Sequence, residues 1–207
     1  MNHRGTFRQL SPLIPYAAVF LGVYCLHSAW IALISYHAAM LAIVLLGRRS
    51  GAAAEKRRLW SCWILTAALY AAGGIALYAI WPYVWPHGGF ARARLADFGI
   101  NAHNWPYFAA YFCCVNSVIE ELFWRGYLGQ DCRRPTLRDA AFAGYHSLVL
   151  AAFAGIIWNV PVFVGCAFAG WLWRMMRAGT GSLLLPVLTH LIADLGIVAA
   201  VHLRVFA

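Results

Sequence analysis

The stretch from Leu10 to Leu46 reads LSPLIPYAAVFLGVYCLHSAWIALISYHAAMLAIVLL and carries no Asp, Glu, Lys or Arg over 37 residues. As one helix it would be about 55 Å long at ~1.5 Å per residue, nearly twice the ~30 Å hydrocarbon core of a bilayer. The stretch therefore predicts two membrane helices, tightly joined near His27 and Ser28. That reading sets the fold class, an all-α polytopic membrane helix bundle. Further apolar runs follow from Leu59 to Val84, Pro106 to Leu128, Ala140 to Trp158, Val160 to Ala178 and Leu183 to His202, with polar or Pro/Gly-bearing joints between them. The total is about seven transmembrane helices in one domain spanning 1–207.

Composition agrees. The chain is 63% hydrophobic and 11% charged with a mean hydropathy of +0.66, against roughly 25% charged in soluble domains. The net charge of +9 would suit a nucleic-acid partner, but such a module needs a soluble basic face, and none is left here. The positives are instead predicted to flank the membrane. With the N-terminus inside, 12 of the 16 fall on the cytoplasmic side: Arg4, Arg8, Arg48, Arg49, Lys56, Arg57, Arg58, Arg133, Arg134, Arg138, Arg174 and Arg177. Arg92, Arg94 and Arg204 fall outside, which predicts an N-in, C-out protein of a plasma membrane, with a bacterial inner membrane as the expected location. The first apolar run outlasts a secretory signal and has no A-x-A site, so it is expected to be retained. Trp85 to Asn104 mixes Trp, Phe and His with Arg and Gly, and is expected to lie in the outer interface and cap a cavity. Six cysteines without a CxxC pair imply neither a disulfide framework nor a zinc knuckle.

Ionisable groups within membrane helices cost a few kcal/mol each on insertion scales, so each is a functional candidate. The fourth span carries Glu120, Glu121 and Arg125 in Ile119-Glu-Glu-Leu-Phe-Trp-Arg-Gly126; the fifth carries His146; the seventh carries His190 and Asp194. Counted from the cytoplasmic helix ends, Glu120, His146 and His190 all fall about 9–12 Å deep. Three helices that meet would bring a carboxylate and two imidazoles to one layer. Glu121 and Arg125, spaced i,i+4 with the acid first, are suited to pair. Glu120 points about 100° away and is left as the candidate base, with Asn116 one turn before it placed to orient its carboxylate. His190 and Asp194 share a helical face. Taken singly, each residue also has a purely structural reading: Glu121 with Arg125 as a packing pair, and His146 as a core histidine bonded across helices. For His27, His37, His87, His103 and His202, near span ends or in the outer segment, the structural reading is stronger. The case for chemistry rests on the set at one depth.

These residues form an ordered pattern. Glu120-Glu121-x-x-x-Arg125, Phe142-x-x-x-His146 and His190-x-x-x-Asp194 resemble the three motifs of the CPBP family of intramembrane proteases, which includes the CAAX prenyl and bacteriocin-processing enzymes. Arg174, the Thr180-Gly181-Ser182-Leu183 turn and Pro186 extend the resemblance, which covers about Tyr111 to Leu195. It implies a glutamate-dependent endopeptidase whose catalytic helices span 105–203. Glu120, helped by His146, would activate a water for attack on a peptide carbonyl, and His190 with Asp194 would polarise that carbonyl, Asp194 by orienting His190 as the donor. Glu121, Arg125, Asn116 and Phe142 would support the site. The substrate would be a membrane-associated protein or peptide, with the bilayer as the other partner and no cofactor. Two further readings use the same residues. Glu120, His146 and His190 could form an open three-ligand Zn²⁺ site, although no HExxH is present. Intramembrane acids and histidines also build proton-coupled transporters, but those place their sites at repeat interfaces, and no repeat is visible here. An inactive scaffold has no support, because every motif position is filled.

Overall fold

The computed structural model describes residues 3–47, 63–86, 89–129, 132 and 134–207. The described residues are helical, without strands. Nine helices run in order: α1 His3–Leu10, α2 Leu13–Cys25, α3 Ala29–Leu46, α4 Trp63–Val84, α5 Phe90–Asp97, α6 over 105–127, α7 Leu137–Ala151, α8 Ile156–Thr180 and α9 Leu184–Phe206. Four of them, within α3, α4, α8 and α9, are long and apolar enough to cross a membrane. The chain is an integral membrane protein. The cluster Arg48 to Arg58 and the expected helix start at Leu59 lie outside the described residues.

The break inside the long N-terminal run falls where expected. His27 adopts a left-handed φ of 47°, and the Ser28 hydroxyl caps α3 by accepting from the Ile31 amide at 3.3 Å. Gly22 permits the hairpin to close, since a Cβ there would lie 2.4 Å from the Ala32 backbone. The second expected break is displaced. Val160 was expected to start a new span after Trp158, but the chain turns at 152–155, and α8 is continuous from Ile156 through Pro161 to Thr180. Pro161 sits in the second turn, where its missing N–H leaves one carbonyl free without ending the helix.

In lipid there is no hydrophobic gain from pressing apolar helices together, so close packing and buried polar bonds must hold the bundle. Both are present. α9 lies most extensively on α4, crossing at Gly74 and Gly196, where a Cβ on Gly74 would come within 2.5 Å of the Gly196 backbone. Gly73 faces open space. Gly74→Ala is expected to lower the melting temperature in detergent, at an overpacking cost of about 1–3 kcal/mol, with Gly73→Ala as the neutral control. Equal behaviour of the two would show that the crossing does not depend on close approach. α2 is tied to α7 by Tyr16 donating to the Ala141 carbonyl at 2.8 Å and Tyr24 to that of Leu148 at 2.7 Å.

The arginines have a second use besides flanking the membrane. Helix ends and prolines leave carbonyls unpaired, and guanidinium groups fill them. Arg8 donates to Tyr127 O at the end of α6 (2.8 Å), Arg94 to Ala152 O at the end of α7 (2.6 Å) and Arg92 to Val205 O in the last turn of α9 (2.8 Å). Arg204 donates to Tyr78 O at 2.7 Å, the carbonyl left free by Pro82 four residues on. Arg174, counted among the positives that flank the membrane on the cytoplasmic side, is buried and paired with Asp139 at 2.7 Å, while also donating to Cys132 O and Arg134 O. Asp139 in turn completes the capping box of α7 with Thr136. The burial of Arg174 rests on partnership: a bidentate carboxylate lets a guanidinium leave water.

Candidate active site

α6 does not run as a uniform α-helix. Wide π-turns at Phe112–Asn116 and Leu122–Tyr127 flank the α segment Ser117–Glu121, which holds both glutamates. π-turns re-aim side chains relative to regular i,i+4 stacking. Here they leave Asn116, Glu120, Glu121 and Arg125 all buried, directed at α3, α7, α8 and α9.

The two oxygens of Glu120 have different surroundings. Oε1 accepts from the Tyr36 hydroxyl of α3 at 2.9 Å and from the Tyr145 hydroxyl of α7. Oε2 is buried without a hydrogen-bond partner, and His190 Nε2 lies 3.9 Å from it. His190 is held on its other side, where Nδ1–H donates to Glu121 Oε1 at 2.9 Å, and its ring stacks on Trp173 with centroids 4.1 Å apart. Nε2 therefore faces Glu120 Oε2 and Asp194 Oδ1, the latter at 3.6 Å. The expectation that Asp194 orients His190 is corrected: the ring donates its hydrogen bond to Glu121 on the facing helix, while Asp194, one turn along the same helix as His190, stands 3.6 Å from Nε2.

Glu121 pairs with Arg125 as expected, Nη1 to Oε1 at 3.0 Å. The same oxygen thus serves both Arg125 and His190. The guanidinium lies 4.1 Å over the face of Phe142 and 5.0 Å from that of Trp173, so desolvation is offset by cation–π contact as well as by the carboxylate. Gly170 leaves the space this requires: a Cβ there would come 3.0 Å from Arg125 Nη2 and 3.1 Å from Phe142. Phe142, identified by its motif position, is fully enclosed by these groups and touches both His146 and His190 edge or face.

Asn116 is also corrected. Its amide makes no hydrogen bond to Glu120; Nδ2 donates to Asp194 Oδ2 at 3.1 Å, and Oδ1 accepts from His37 Nε2 at 3.1 Å and contacts the Tyr36 hydroxyl. The π-turn that ends at Asn116 shifts it out of register with Glu120. His37, read from sequence as a span-end histidine, lies in the middle of α3 and is 1% exposed. His146 donates from Nδ1 to Phe142 O at 2.8 Å, leaving Nε2 directed at the Tyr145 hydroxyl at 3.3 Å. Tyr145 thus stands between His146 and Glu120.

The four residues singled out as catalytic are therefore in one cluster, and all four supporting residues touch it. The sequence reading missed Tyr36, His37, Tyr145 and Trp173. Tyr145 had a signal, since it adjoins His146, but aromatic residues are so common in this chain that adjacency could not separate it from packing. Among the described residues, no three His, Cys, Asp or Glu side chains are arranged to hold a metal ion. The arrangement does offer a hydrolytic geometry. Glu120 Oε2 and His190 Nε2 stand 3.9 Å apart, so a water admitted beside them and bonded to both at about 2.8 Å would direct a proton at a carboxylate oxygen that has no other hydrogen-bond partner.

The resemblance noted from the three motifs holds in a family comparison. Residues 102–196, just under half of the chain, match the family described as type II CAAX prenyl endopeptidase Rce1-like. The matched segment carries the cluster residues Asn116, Glu120, Glu121, Arg125, Phe142, Tyr145, His146, His190 and Asp194. No curated protein and no solved structure matches the chain.

Proposed function

We propose that the protein is an intramembrane endopeptidase in which Glu120 activates a water to hydrolyse a peptide bond in a membrane-associated protein or peptide, without a metal. The observation that carries this reading is the asymmetry of Glu120: one oxygen anchored by two phenols, the other buried, unpartnered and facing an imidazole nitrogen. The water loses a proton to Glu120 Oε2 as its oxygen attacks the carbonyl carbon. The carbonyl oxygen becomes an oxyanion facing His190 Nε2–H, which Glu121 holds in place from Nδ1. On collapse the C–N bond breaks and the proton held by Glu120 passes to the leaving amine. His146 supports the carboxylate through Tyr145. Asp194, with Asn116, closes the far wall and limits how His190 can move.

The test uses a farnesylated peptide ending in a CAAX sequence, and a transmembrane peptide without the prenyl group, each carrying a fluorophore and quencher across the scissile region. The purified protein in liposomes is expected to cleave at least one of them, and to keep that activity after exhaustive chelation. In the same assay Asp194→Asn is expected to retain substantial turnover, because an amide oxygen still meets Asn116. Asp194→Ala is expected to lose on the order of 10²-fold or more, the scale of removing one group that supports the oxyanion. Loss on chelation, restored by Zn²⁺, would move Glu120, His146 and His190 into ligand roles. Cleavage of neither peptide would overturn the endopeptidase reading.

The same reading places the active layer near the cytoplasmic face of about seven spans, N-in and C-out, in a bacterial inner membrane. Reporter fusions after Ala207 are expected to report the outer side, and insertions at the Arg48 to Arg58 loop the cytoplasmic side. A cytoplasmic C-terminus would invert the layer and remove the shared depth of the three motifs.

A further inference from the structure

We propose that Tyr36, on a helix outside the segment shared with the family, is a positioning residue that decides which oxygen of Glu120 does the chemistry. The proposal rests on Glu120 being the base. A glutamate carboxylate on three rotatable bonds presents either oxygen equally unless something distinguishes them. Here the distinction is geometric. The Tyr36 hydroxyl, 2.9 Å from Oε1, and the Tyr145 hydroxyl, on the same oxygen, approach from α3 and α7 on different sides of the carboxylate. Two donors on one oxygen fix both its position and the plane of the group, and Oε2 is left turned toward His190 Nε2. Charge-assisted bonds of this kind are about twice as strong as neutral ones, so the pinning is strongest while Glu120 is ionised and awaiting a water proton.

Tyr36 is itself held. It is 5% exposed, its ring lies against those of His37 and Tyr145, and its hydroxyl also contacts Asn116 Oδ1. A phenol has one proton and here faces two acceptors. Asn116 Oδ1 has a second donor in His37 Nε2–H, whose orientation is set by Tyr111 donating to Nδ1 at 3.2 Å. His37 therefore satisfies Asn116 while the Tyr36 proton serves Glu120. When Glu120 takes the water proton and loses its charge, the Tyr36 hydroxyl turns toward Asn116 Oδ1 without any heavy atom moving, and it turns back when the proton leaves with the amine. The groups facing Glu120 are Tyr36 and His37 from α3, Tyr145 and His146 from α7, and His190 and Asp194 from α9, with Glu121 and Arg125 on its own helix. Of the two that bond its anchored oxygen, Tyr36 comes from outside 102–196.

The experiment uses the full-length protein in liposomes with the farnesylated or transmembrane quenched peptide that the wild type cleaves. Tyr36→Phe keeps the ring and is expected to lower kcat by about 10- to 100-fold with KM unchanged, because Tyr36 acts on Glu120 and not on substrate. Replacing Tyr36 by ring-fluorinated tyrosines of graded acidity should change kcat in step with phenol donor strength, which a packing role would not produce. Combining Tyr36→Phe with Glu120→Gln should cost no more activity than Glu120→Gln alone. Wild-type kcat in Tyr36→Phe, with Glu120→Gln inactive, would overturn the positioning role and leave Glu120 as the base. A fully active Glu120→Gln would overturn the base itself. If Tyr36→Phe is poorly folded, the fluorinated series decides, and a flat response across it overturns the proposal.

Discussion

Glu120→Gln is expected to abolish peptide cleavage, by a factor on the order of 10²–10⁴ for loss of a general base, while leaving the fold intact. Glutamine has the same shape, and its amide oxygen can still accept from Tyr36 and Tyr145 on the anchored side. What it cannot do is take a proton at the position now occupied by Oε2. The substitution also removes one of three acids, Glu120, Glu121 and Asp194, gathered around His190, so repulsion falls and the melting temperature in detergent should hold or rise. Activity near wild type would end the assignment of Glu120 as base. A large drop in melting temperature would show instead that its charge is a structural partner of His190.

Glu121→Gln is expected to damage stability and activity together. One oxygen of Glu121 accepts from Arg125 at 3.0 Å and from His190 at 2.9 Å, in a pair that is almost wholly buried. Neutralising it strands the guanidinium away from water with only the faces of Phe142 and Trp173 beside it, and breaking a buried pair in this way costs about 3–5 kcal/mol. The second variant separates the two roles. Arg125→Met together with Glu121→Gln removes both charges and should recover much of the melting temperature, but His190 still lacks its charged Nδ1 partner, so cleavage should stay low. Recovery of both in the double variant would show that Glu121 serves Arg125 alone. Loss of activity with no change in melting temperature in Glu121→Gln would show that the pair contributes little to packing.

The sequence-level reading of this site succeeded where residues act along one helix and failed where they act between helices. The Glu121–Arg125 pair was legible because i,i+4 spacing fixes proximity whatever the surroundings. The same rule misassigned Asn116 to Glu120, because π-turns on both sides of 117–121 alter the register, and nothing in the local residue types announces a π-turn. It also favoured Asp194 over Glu121 as the partner of His190. Spacing along a helix measures stacking but not the direction from which a neighbouring helix arrives.

What the sequence by itself determined was the class of the molecule and most members of its buried polar cluster. Apolar runs of membrane length permit only helices in lipid, since each backbone group must be satisfied within its own segment. Charged groups inside such runs are too costly to be accidental, so listing them came close to listing the residues that the fold gathers into one buried cluster. Only the tertiary structure decided the role of each atom. Tyr36 and His37 stand more than 70 residues from Asn116 and Glu120, in a stretch whose tyrosines and histidines are chemically ordinary until α3 is packed against α6. Arg92, Arg94 and Arg204 read as charges on the outer side, yet each fills a carbonyl that a helix end or a proline left open. In both cases the deciding quantity is a hydrogen bond between segments distant in sequence, which depends on how helices cross and not on what any one helix contains.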